Sequence, residues 1–423
     1  MHILSIAMKS IKSLFLGITK ILFGSGLSQL LNFLLVVIVT RAYGDSDLAS
    51  LVKVIALSSF VILFFEGGCN YLVVSRSEKA LKDILIIRLL FLILVSFLYV
   101  LVFGLIQGYL KISFEIYIFC YFFSLLSSFS NFIAYYYQGR GDINRYTFSF
   151  FGRNSMHFFV AILIFWLFQP ENIVFWWLLI GSIVNVLIIF LSLKHIDREV
   201  LTIRLDEGLF STLNLSFYYL MSSLLVMIII RAEAILLGNN DAQLAIYFQA
   251  KTLALVISLV SSSFSNYYLS NFSVAIQKGW GSFRNQVILT YLITIPFLLA
   301  LFYFSDLIFG FLYGGNNVFE LREIFSVIGF GFSLGIITNS LSVILIKAEV
   351  SKINFYLNLF QTLLVVAVGY ILVDLGLGAL GLSIAIMSAH IAGFFIIFIY
   401  TEKKHDLLIE KIMDKVKAYP FKS

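Results

Sequence analysis

Charged side chains inside long apolar runs are the residues of this sequence that could do chemistry. Arg231 and Glu233 lie near the end of one apolar run, and Lys251 lies about ten residues into the next, after a turn at Gly238. At ~1.5 Å per helical residue, Lys251 is about 15 Å along its run, in a hydrocarbon layer about 30 Å thick. A cation is costly to keep at that depth, so Lys251 is expected to face a protein interior or a water-filled cavity.

Acidic residues inside apolar runs are the candidates for ion coupling. Glu66 precedes Gly67 and Gly68, which could loosen a helix and expose backbone polar groups to a cavity. A buried ion pair with an unidentified cation is the alternative role for Glu66. Glu233 and Arg231 are two residues apart, ~200° around a helix, so they are not expected to share a face. We assign Glu66 and Glu233 to coupling, with a proton or a sodium ion as the coupled species.

Polar side chains at helical spacing form stripes on three of the apolar runs. The stripes consist of Ser25, Ser28, Gln29 and Asn32; of Tyr146, Ser149, Arg153 and His157; and of Tyr247, Lys251, Ser258, Ser262 and Ser265. Three stripes on three helices could line a common cavity. Small polar groups also mediate helix packing in lipid, which is the competing interpretation.

The charges inside the apolar runs are mostly positive. Arg88 lies near one end of its helix, where it could extend to the lipid headgroups, and Lys53 is about as shallow from the other side. The five cations are Lys53, Arg88, Arg153, Arg231 and Lys251, and the two acids are Glu66 and Glu233. An excess of positive charge in a cavity favours an anionic passenger, such as a diphosphate or an acidic sugar.

Composition excludes a soluble protein. Of the 423 residues 61% are hydrophobic and 12% are charged, and the mean hydropathy is +0.99. The net charge of +6 is interpreted as a determinant of membrane orientation, not as a nucleic-acid site. Cys69 and Cys120 both lie in apolar runs and are expected to be small buried hydrophobic residues. No Walker A sequence, HExxH helix or His/Cys cluster is present, so the sequence predicts no metal site, no cofactor and no enzyme activity.

Apolar runs of about 20 residues predict an all-α polytopic membrane protein. We count twelve spans, at residues 21–40, 49–74, 84–106, 114–137, 146–168, 173–193, 209–237, 242–270, 287–310, 325–346, 354–373 and 380–400.

Twelve spans place both termini on one side of the membrane. Loops and termini on that side carry 21 lysines and arginines, against three on the opposite side, which predicts that both termini are cytoplasmic. We divide the chain into an N-terminal six-helix bundle (1–205), a C-terminal six-helix bundle (206–401) and a cytoplasmic amphipathic tail (402–423). The tail has apolar residues at helical spacing among lysines, which suits a helix on an anionic inner leaflet, although a solvated tail is an alternative.

Two turns resemble each other. GDSDLASLVKVIALSS after the first span is similar to GNNDAQLAIYFQAKTLALVIS after the seventh, and aligning Gly44 with Gly238 also aligns Asp47 with Asp241. Transporters are often built from two such repeats, with the substrate site between them.

Four parts of the sequence resemble a known family. They are TRAYGDSDLASL followed by FFEGGCNYLVVSR, then RAEAILLGNNDAQLAIYFQA, FGFLYGG, and YLNLFQTLLVVAVGYILVDLGLGALGLSIAIMSA. With the twelve-span layout, they resemble the Wzx-type O-antigen and polysaccharide flippases of the multidrug/oligosaccharidyl-lipid/polysaccharide exporter superfamily. The first turn departs from the family in lacking a second glycine, and the first span has no basic residue between Lys20 and Arg41.

The resemblance implies two six-helix bundles around a cationic central cavity, in a bacterial inner membrane. It implies alternating access that carries an undecaprenyl-diphosphate-linked oligosaccharide from the cytoplasmic to the outer leaflet, with a polysaccharide polymerase and a chain-length regulator as candidate partners. The expected substrate contacts are Lys251, Arg231, Arg153, Lys53, Asn32, Gln29, Tyr247 and His157. A multidrug or cation antiporter of the same superfamily is one alternative, and a glycan polymerase, which would normally have a large outer loop, is another.

Overall fold

The computed structural model describes residues 26–28, 30–75, 81–102, 104, 113–194, 209–276, 279–314, 317–348 and 350–418. Within these residues the chain forms helices joined by short turns, and no strand. The all-α fold class predicted from the sequence is therefore confirmed. Gln29 and the segment before residue 26 lie outside the described residues.

The first half of the chain contains six apolar spans. Its helices are α1 (Gly26–Tyr43), α2 (Asp45–Glu66), α3 (Cys69–Ser75), α4 (Leu81–Leu101), α5 (Phe114–Gly139), α6 (Ile143–Thr147), α7 (Arg153–Phe168) and α8 (Ile173–Leu193). A π-helical turn, Phe148–Gly152, joins α6 to α7, so these two helices form one span. Helix α3 follows α2 after a break at Gly67 and Gly68.

The second half of the chain contains a similar set of helices. Its helices are α9 (Leu209–Ile230), α10 (Ala232–Leu236), α11 (Asp241–Ile276), α12 (Trp280–Tyr303), α13 (Ser305–Tyr313), α14 (Val318–Lys347), α15 (Ser351–Leu372) and α16 (Gly378–Ala418). A second π-helical turn, Val373–Leu377, lies between α15 and α16. We call the side where α2 and α11 begin the Gly44 end, and the side where α12 begins the Gly279 end.

The number of spans agrees with the sequence. Eleven helical stretches of the described residues are long and apolar enough to cross a membrane. The last, Lys352–Ile412, contains both α15 and α16, which are separated at Gly376, where φ is 87°. With these two helices counted separately, the twelve predicted spans are confirmed, and the chain is a multi-pass membrane protein.

Each group of six spans packs mainly within itself. In the first half, α5 packs against α2 and α8, and α7 packs against α8. In the second half, α14 packs against α11 and α16, and α15 packs against α9 and α16. The two bundles meet where α2, α3 and α4 contact α9, α10 and α11. Residues at the break between α2 and α3 therefore lie at the interface between the bundles.

Two consecutive glycines make that break. Gly67 and Gly68 have φ values of 56° and 72°, in the left-handed region that favours glycine. A Cβ atom on Gly68 would lie 2.3 Å from the carbonyl oxygen of Ser216 on α9. The glycine pair thus ends α2 and lets the backbones of the two bundles approach each other closely.

The C-terminal segment continues the last span. Helix α16 runs without interruption to Ala418. Glu402 pairs with Arg284 at 3.2 Å, and the His405 ring stacks on Trp280 with 5.6 Å between ring centroids. Leu408 is fully buried within an apolar cluster of the second half. The segment from residue 402 therefore packs against the start of α12, at the Gly279 end.

Candidate functional site

A second helix break, in the second half, brings Lys251 together with Glu233. Helix α9 ends at Ile230, and Arg231 has non-helical backbone angles (φ −111°, ψ 19°) before α10 begins. The Lys251 Nζ atom is 2.8 Å from Oε1 of Glu233, and it also donates to the carbonyl oxygen of Ile230. Carbonyl groups in the last turn of a helix have no intrahelical partner, so the break supplies an acceptor for the buried ammonium.

This ion pair is removed from the surface. Glu233 is 0% exposed and Lys251 is 3% exposed. Tyr247 is also fully buried, one turn before Lys251, and the Lys251 Nζ lies 5.8 Å from the centroid of its ring. We call Arg231, Glu233, Tyr247 and Lys251 the Lys251 cluster. It contains two cations and one carboxylate.

Arg231 extends from this cluster towards the first bundle. Its Nη2 atom donates to the Ser59 hydroxyl on α2 at 2.9 Å, and its guanidinium interacts electrostatically with Glu233. The prediction that Arg231 and Glu233 lie on different faces assumed a continuous helix. The break at Arg231 removes that assumption, and both groups take part in one cluster while Arg231 also contacts the other bundle.

A corresponding cluster surrounds Glu66 in the first half. Asn131 Nδ2 on α5 donates to Glu66 Oε1 at 2.6 Å. Arg88 on α4 and Arg153 on α7 both interact electrostatically with the Glu66 carboxylate. With Asn70, these residues form what we call the Glu66 cluster, and it too contains two cations and one carboxylate.

Asn70 and Asn131 are members of this cluster that the sequence analysis did not single out, and the environment of Arg88 was predicted incorrectly. Arg88 was expected to extend to the lipid headgroups, but this is wrong: the side chain is 3% exposed. Its Nη2 atom donates to the Ser128 hydroxyl at 2.6 Å, and its guanidinium lies 4.8 Å from the centroid of the Phe132 ring. Position along a helix gives the depth of a residue but not the neighbouring helix. The available signal was the serine-rich stretch 124–130, followed by Asn131, on an otherwise apolar α5.

Arg153 follows the π-helical turn at Phe148–Gly152. Such turns are frequent at functional sites, because the extra residue changes the direction of the next side chains. Arg153 Nη1 donates to the Ser127 carbonyl at 3.4 Å, and its Nε donates to Asn154 Oδ1 at 3.2 Å. Arg153 is thus held between α7 and α5, within electrostatic reach of Glu66.

The rest of the predicted stripe on this span packs inside the first bundle. His157 bonds through Nε2 to the Trp177 carbonyl at 3.0 Å, and the two rings lie 3.9 Å apart between centroids. Ser149 bonds to Ser192 on α8. Of the stripe's four members, Arg153 is the one that the structure brings to Glu66.

Lys53 belongs to a third group of contacts, at the Gly44 end. These contacts all join the first bundle to the second, and we call them the Gly44-end links. They are Lys53 Nζ to Asp241 Oδ1 at 2.9 Å, Gln249 Nε2 to Asp45 Oδ1 at 3.2 Å, and Arg41 to the carbonyl oxygens of Phe311 and Leu312, both at 2.7 Å.

The Gly44-end links give a structural meaning to the internal sequence similarity. Asp45 and Asp241 each follow one of the two similar turns, at the start of α2 and α11. Each accepts a hydrogen bond from the other bundle, from Gln249 and Lys53 respectively. Asp45 and Asp241 are the first residues of their helices, and Lys53 and Gln249 are the ninth. The two halves therefore exchange equivalent contacts, in a register two residues away from the alignment of Gly44 with Gly238.

The remaining sequence predictions are placed as follows. Asn32 is partly buried on α1, whereas Gln29 is outside the described residues. Ser262 and Ser265 bond to carbonyl oxygens, of Leu259 and Asn339. Cys69 and Cys120 are free and buried, which confirms their interpretation as small apolar residues. In the described ranges, no group of three His, Cys, Asp or Glu residues is arranged to hold a metal ion.

The described chain thus consists of twelve spans in two bundles, with charged clusters beside helix breaks at the interface between them. No family model and no curated protein matches the chain. Solved structures do match it over nearly its whole length, with TM-scores that establish a shared fold in spite of low sequence identity.

Three of these structures illustrate the kinds of protein that the chain is similar to. A structure of the MATE multidrug transporter DinF-BH has a TM-score of 0.67 at 13% identity, covering 94% of this chain and 96% of that one. A MOP superfamily transporter from Pyrococcus furiosus, described by the reverse polarity of its binding pocket, gives 0.68 at 14% identity, with 94% and 96% covered. The lipid II flippase MurJ, in an inward closed conformation, gives 0.63 at 18% identity, with 95% and 93% covered.

Proposed function

We propose that the protein is a flippase that moves an undecaprenyl-diphosphate-linked oligosaccharide from the cytoplasmic to the outer leaflet of a bacterial inner membrane. The observation that carries this proposal is the charge of the two clusters. Each places two cations beside one carboxylate, within an otherwise apolar membrane segment. A desolvated site with an excess of positive charge stabilises phosphate groups and disfavours cationic drugs.

The substrate is proposed to bind between the bundles, residues 1–205 and 206–401. Arg231 is well placed for this role because it already extends from the second bundle to Ser59 of the first. Arg153 provides a cation near Glu66. The other residues proposed to contact the substrate, or to support those that do, are Lys251, Lys53, Asn32, Gln29, Tyr247 and His157. Glu66 and Glu233 are proposed to couple transport to protons or sodium ions.

Alternating access fits the contacts between the bundles. The Gly44-end links join the bundles on one side, and they consist of hydrogen bonds and an ion pair that are partly exposed. With both termini cytoplasmic, the Gly44 end faces the outer leaflet. Breaking these links would open the cavity outwards. The amphipathic tail 402–423 would stay at the cytoplasmic side. A polymerase and a chain-length regulator are candidate partners of the protein.

A multidrug or cation antiporter is the second candidate. The observation in its favour is the likeness to the MATE multidrug transporter DinF-BH, which is comparable to the likeness to the lipid II flippase MurJ. A glycan polymerase is the less favoured alternative, because the structure gives no large outer loop among its described residues. The two transport functions differ in the charge of the passenger.

The test uses a strain that lacks the gene. We expect loss of long-chain surface polysaccharide together with accumulation of complete, lipid-linked single repeat units on the cytoplasmic side. Complementation with the Lys251→Ala variant should fail to restore export, whereas Lys411→Ala, on the exposed face of the last helix, should restore it. Intact surface polysaccharide with altered sensitivity to cationic compounds would assign the protein to drug export instead.

A further inference from the structure

The Glu66 cluster contains polar atoms that have no partner. Arg88 Nη1 and Asn131 Oδ1 are buried and make no hydrogen bond within the described structure, and Asn70 is a further buried amide beside Glu66. Buried polar groups are normally satisfied, and an unpaired guanidinium nitrogen is especially unfavourable. Unpaired groups around one carboxylate therefore indicate a place that another ligand completes.

The charge of the cluster indicates the sign of that ligand. The charged groups that face Glu66 are Arg88 and Arg153. The other titratable groups nearby are Cys69, Tyr71 and Tyr135, and these are neutral at ordinary pH. Glu66 is the carboxylate whose charge acts on both arginines, and it is bonded to an amide rather than to either guanidinium.

The cluster lies at the interface between the bundles. Cys69, just after the glycine pair, has its sulfur 3.8 Å from the Ser216 hydroxyl on α9. Tyr71 stacks on Tyr219 of the same helix, with 5.5 Å between ring centroids. Glu66 itself is only partly buried. Separation of α3 from α9 would therefore open the cluster to the space between the bundles.

From this arrangement we infer that Arg88, Arg153 and Asn131 form a binding site for a phosphate group, and that Glu66 is its resident counter-ion. The Glu66 carboxylate lies beside the site, bonded to Asn131 and acting on the two arginines through its charge. When Glu66 takes up a proton it becomes neutral and no longer repels a phosphate, whose oxygens then bind the two guanidinium groups. Arginine suits this exchange because its planar fork binds two phosphate oxygens at once.

The exchange explains how one proton can be linked to one anionic passenger. Phosphate binding raises the negative charge near the arginines, and protonation of Glu66 removes the competing charge. The Lys251 cluster also has buried unpaired atoms, on Arg231, Glu233 and Tyr247, but its carboxylate is in a direct ion pair with Lys251. It is less suited to the exchange, because Glu66 is bonded to a neutral amide instead. The identity of the anion rests on the proposed function, whereas the site itself rests on the geometry of the Glu66 cluster.

The test is a binding measurement on the full chain purified in detergent. A farnesyl-diphosphate-linked sugar, whose two esterified phosphates keep the same charge between about pH 5 and about pH 8, serves as the probe and farnesol as the uncharged control. Affinities are measured by titration calorimetry at about pH 8 and about pH 5, where an ordinary carboxyl begins to take up a proton. Wild-type protein should bind the diphosphate at least about tenfold more tightly at the lower pH, and farnesol binding should not depend on pH. Glu66→Gln should bind at pH 8 about as tightly as wild type at pH 5, with little further pH dependence.

Arg88 variants test the site directly. Arg88→Gln should weaken diphosphate binding by about tenfold or more, since it removes a charge-assisted hydrogen bond donor. Arg88→Lys keeps the charge but loses the fork and should give an intermediate affinity. Arg145→Gln, an arginine in a partly exposed pair with Asp142, is the matched control and should bind like wild type. Thermal unfolding of each variant identifies those that fail to fold, and Glu66→Gln preserves the side-chain volume.

The outcomes separate the site from the proposed function. Weaker binding by Glu66→Gln, unchanged binding by Arg88→Gln, or absence of diphosphate binding at both pH values would overturn the inference. If the deletion strain still accumulates lipid-linked units in that case, the flippase function stands and its phosphate site is elsewhere. If diphosphate binds as expected but the strain exports normally, the site stands and the proposed function is wrong.

Discussion

The Glu66 cluster and the Lys251 cluster have the same formal charges but hold their carboxylates differently. Glu233 is in direct contact with Lys251, at 2.8 Å, and is fully buried. Glu66 is bonded to the neutral Asn131 amide, at 2.6 Å, and is partly exposed. Breaking a buried contact ion pair leaves an uncompensated charge, which is strongly unfavourable. The comparison suggests a fixed connection within the second bundle and an exchangeable group within the first.

The largest expected effect is the loss of one partner from the fixed pair. Glu233→Gln leaves the Lys251 ammonium buried without its counter-ion and should destabilise the protein by about 3–5 kcal/mol. The measurement is thermal or denaturant unfolding of purified protein. The double variant Glu233→Gln with Lys251→Met should recover most of this loss, because no charge is then left unpaired. Equal destabilisation in the single and double variants would contradict the fixed-pair interpretation.

A second expected effect concerns the glycine pair beside the Glu66 cluster. Gly68→Ala places a Cβ atom 2.3 Å from the Ser216 carbonyl oxygen, at a residue with φ of 72°. We expect a loss of about 1–3 kcal/mol, comparable to other strained or overpacked positions. Gly281→Ala is the control, since a Cβ atom there meets nothing within 4 Å. Similar unfolding temperatures for the two variants would show that the close approach of α3 and α9 is not needed for stability.

Glu66→Gln should have a smaller effect on stability than Glu233→Gln. A neutral glutamine can accept the same hydrogen bond from Asn131, but two buried arginines lose the charge of the carboxylate. Because neither arginine is in a direct ion pair with Glu66, we expect a loss of about 1–2 kcal/mol, below that of the direct pair. The measurement is the same unfolding experiment, with export by the complemented deletion strain as a second readout. Normal stability with defective export would sharpen the contrast between the clusters, whereas destabilisation as large as that of Glu233→Gln would remove it.

The smallest effect is expected at the Gly44 end. Lys53 and Asp241 form an ion pair in which the Asp241 side chain is 51% exposed, and exposed pairs contribute about 0.2–1 kcal/mol. A double-variant cycle with Lys53→Met and Asp241→Asn should give a coupling energy in that range. High salt should reduce it, because exposed pairs are screened. A coupling of several kcal/mol would show that this end is held as firmly as the Lys251 cluster.

Sequence reasoning predicted the fold well because membrane spans have a simple physical requirement. A helix needs about 20 apolar residues to cross the hydrocarbon layer, so the apolar runs of the sequence give the number of spans and their approximate bounds. The break at Gly67 and Gly68 and the turn at Gly238 could also be recognised in the sequence, because they contain glycine. Glycine tolerates backbone angles and close contacts that other residues do not.

The candidate site was only partly predictable. The sequence singled out Glu66, Glu233 and Lys251 as unusual, because charged residues in apolar runs are costly. It did not pair Glu233 with Lys251, since the two lie on different helices on either side of a turn. Arg88 and His157 were interpreted by depth and helical spacing alone. The structure turns Arg88 towards the Glu66 cluster and His157 towards Trp177.

The sequence by itself determined that this is a twelve-span membrane protein with more cations than acids inside its spans, because apolar length and charge are properties of the linear chain. Only the tertiary structure decided which charges meet. Helical periodicity assigns a residue to a face, but packing decides which neighbouring helix that face contacts. A break such as the one at Arg231 changes the direction of every later side chain, and that direction follows from packing rather than from spacing.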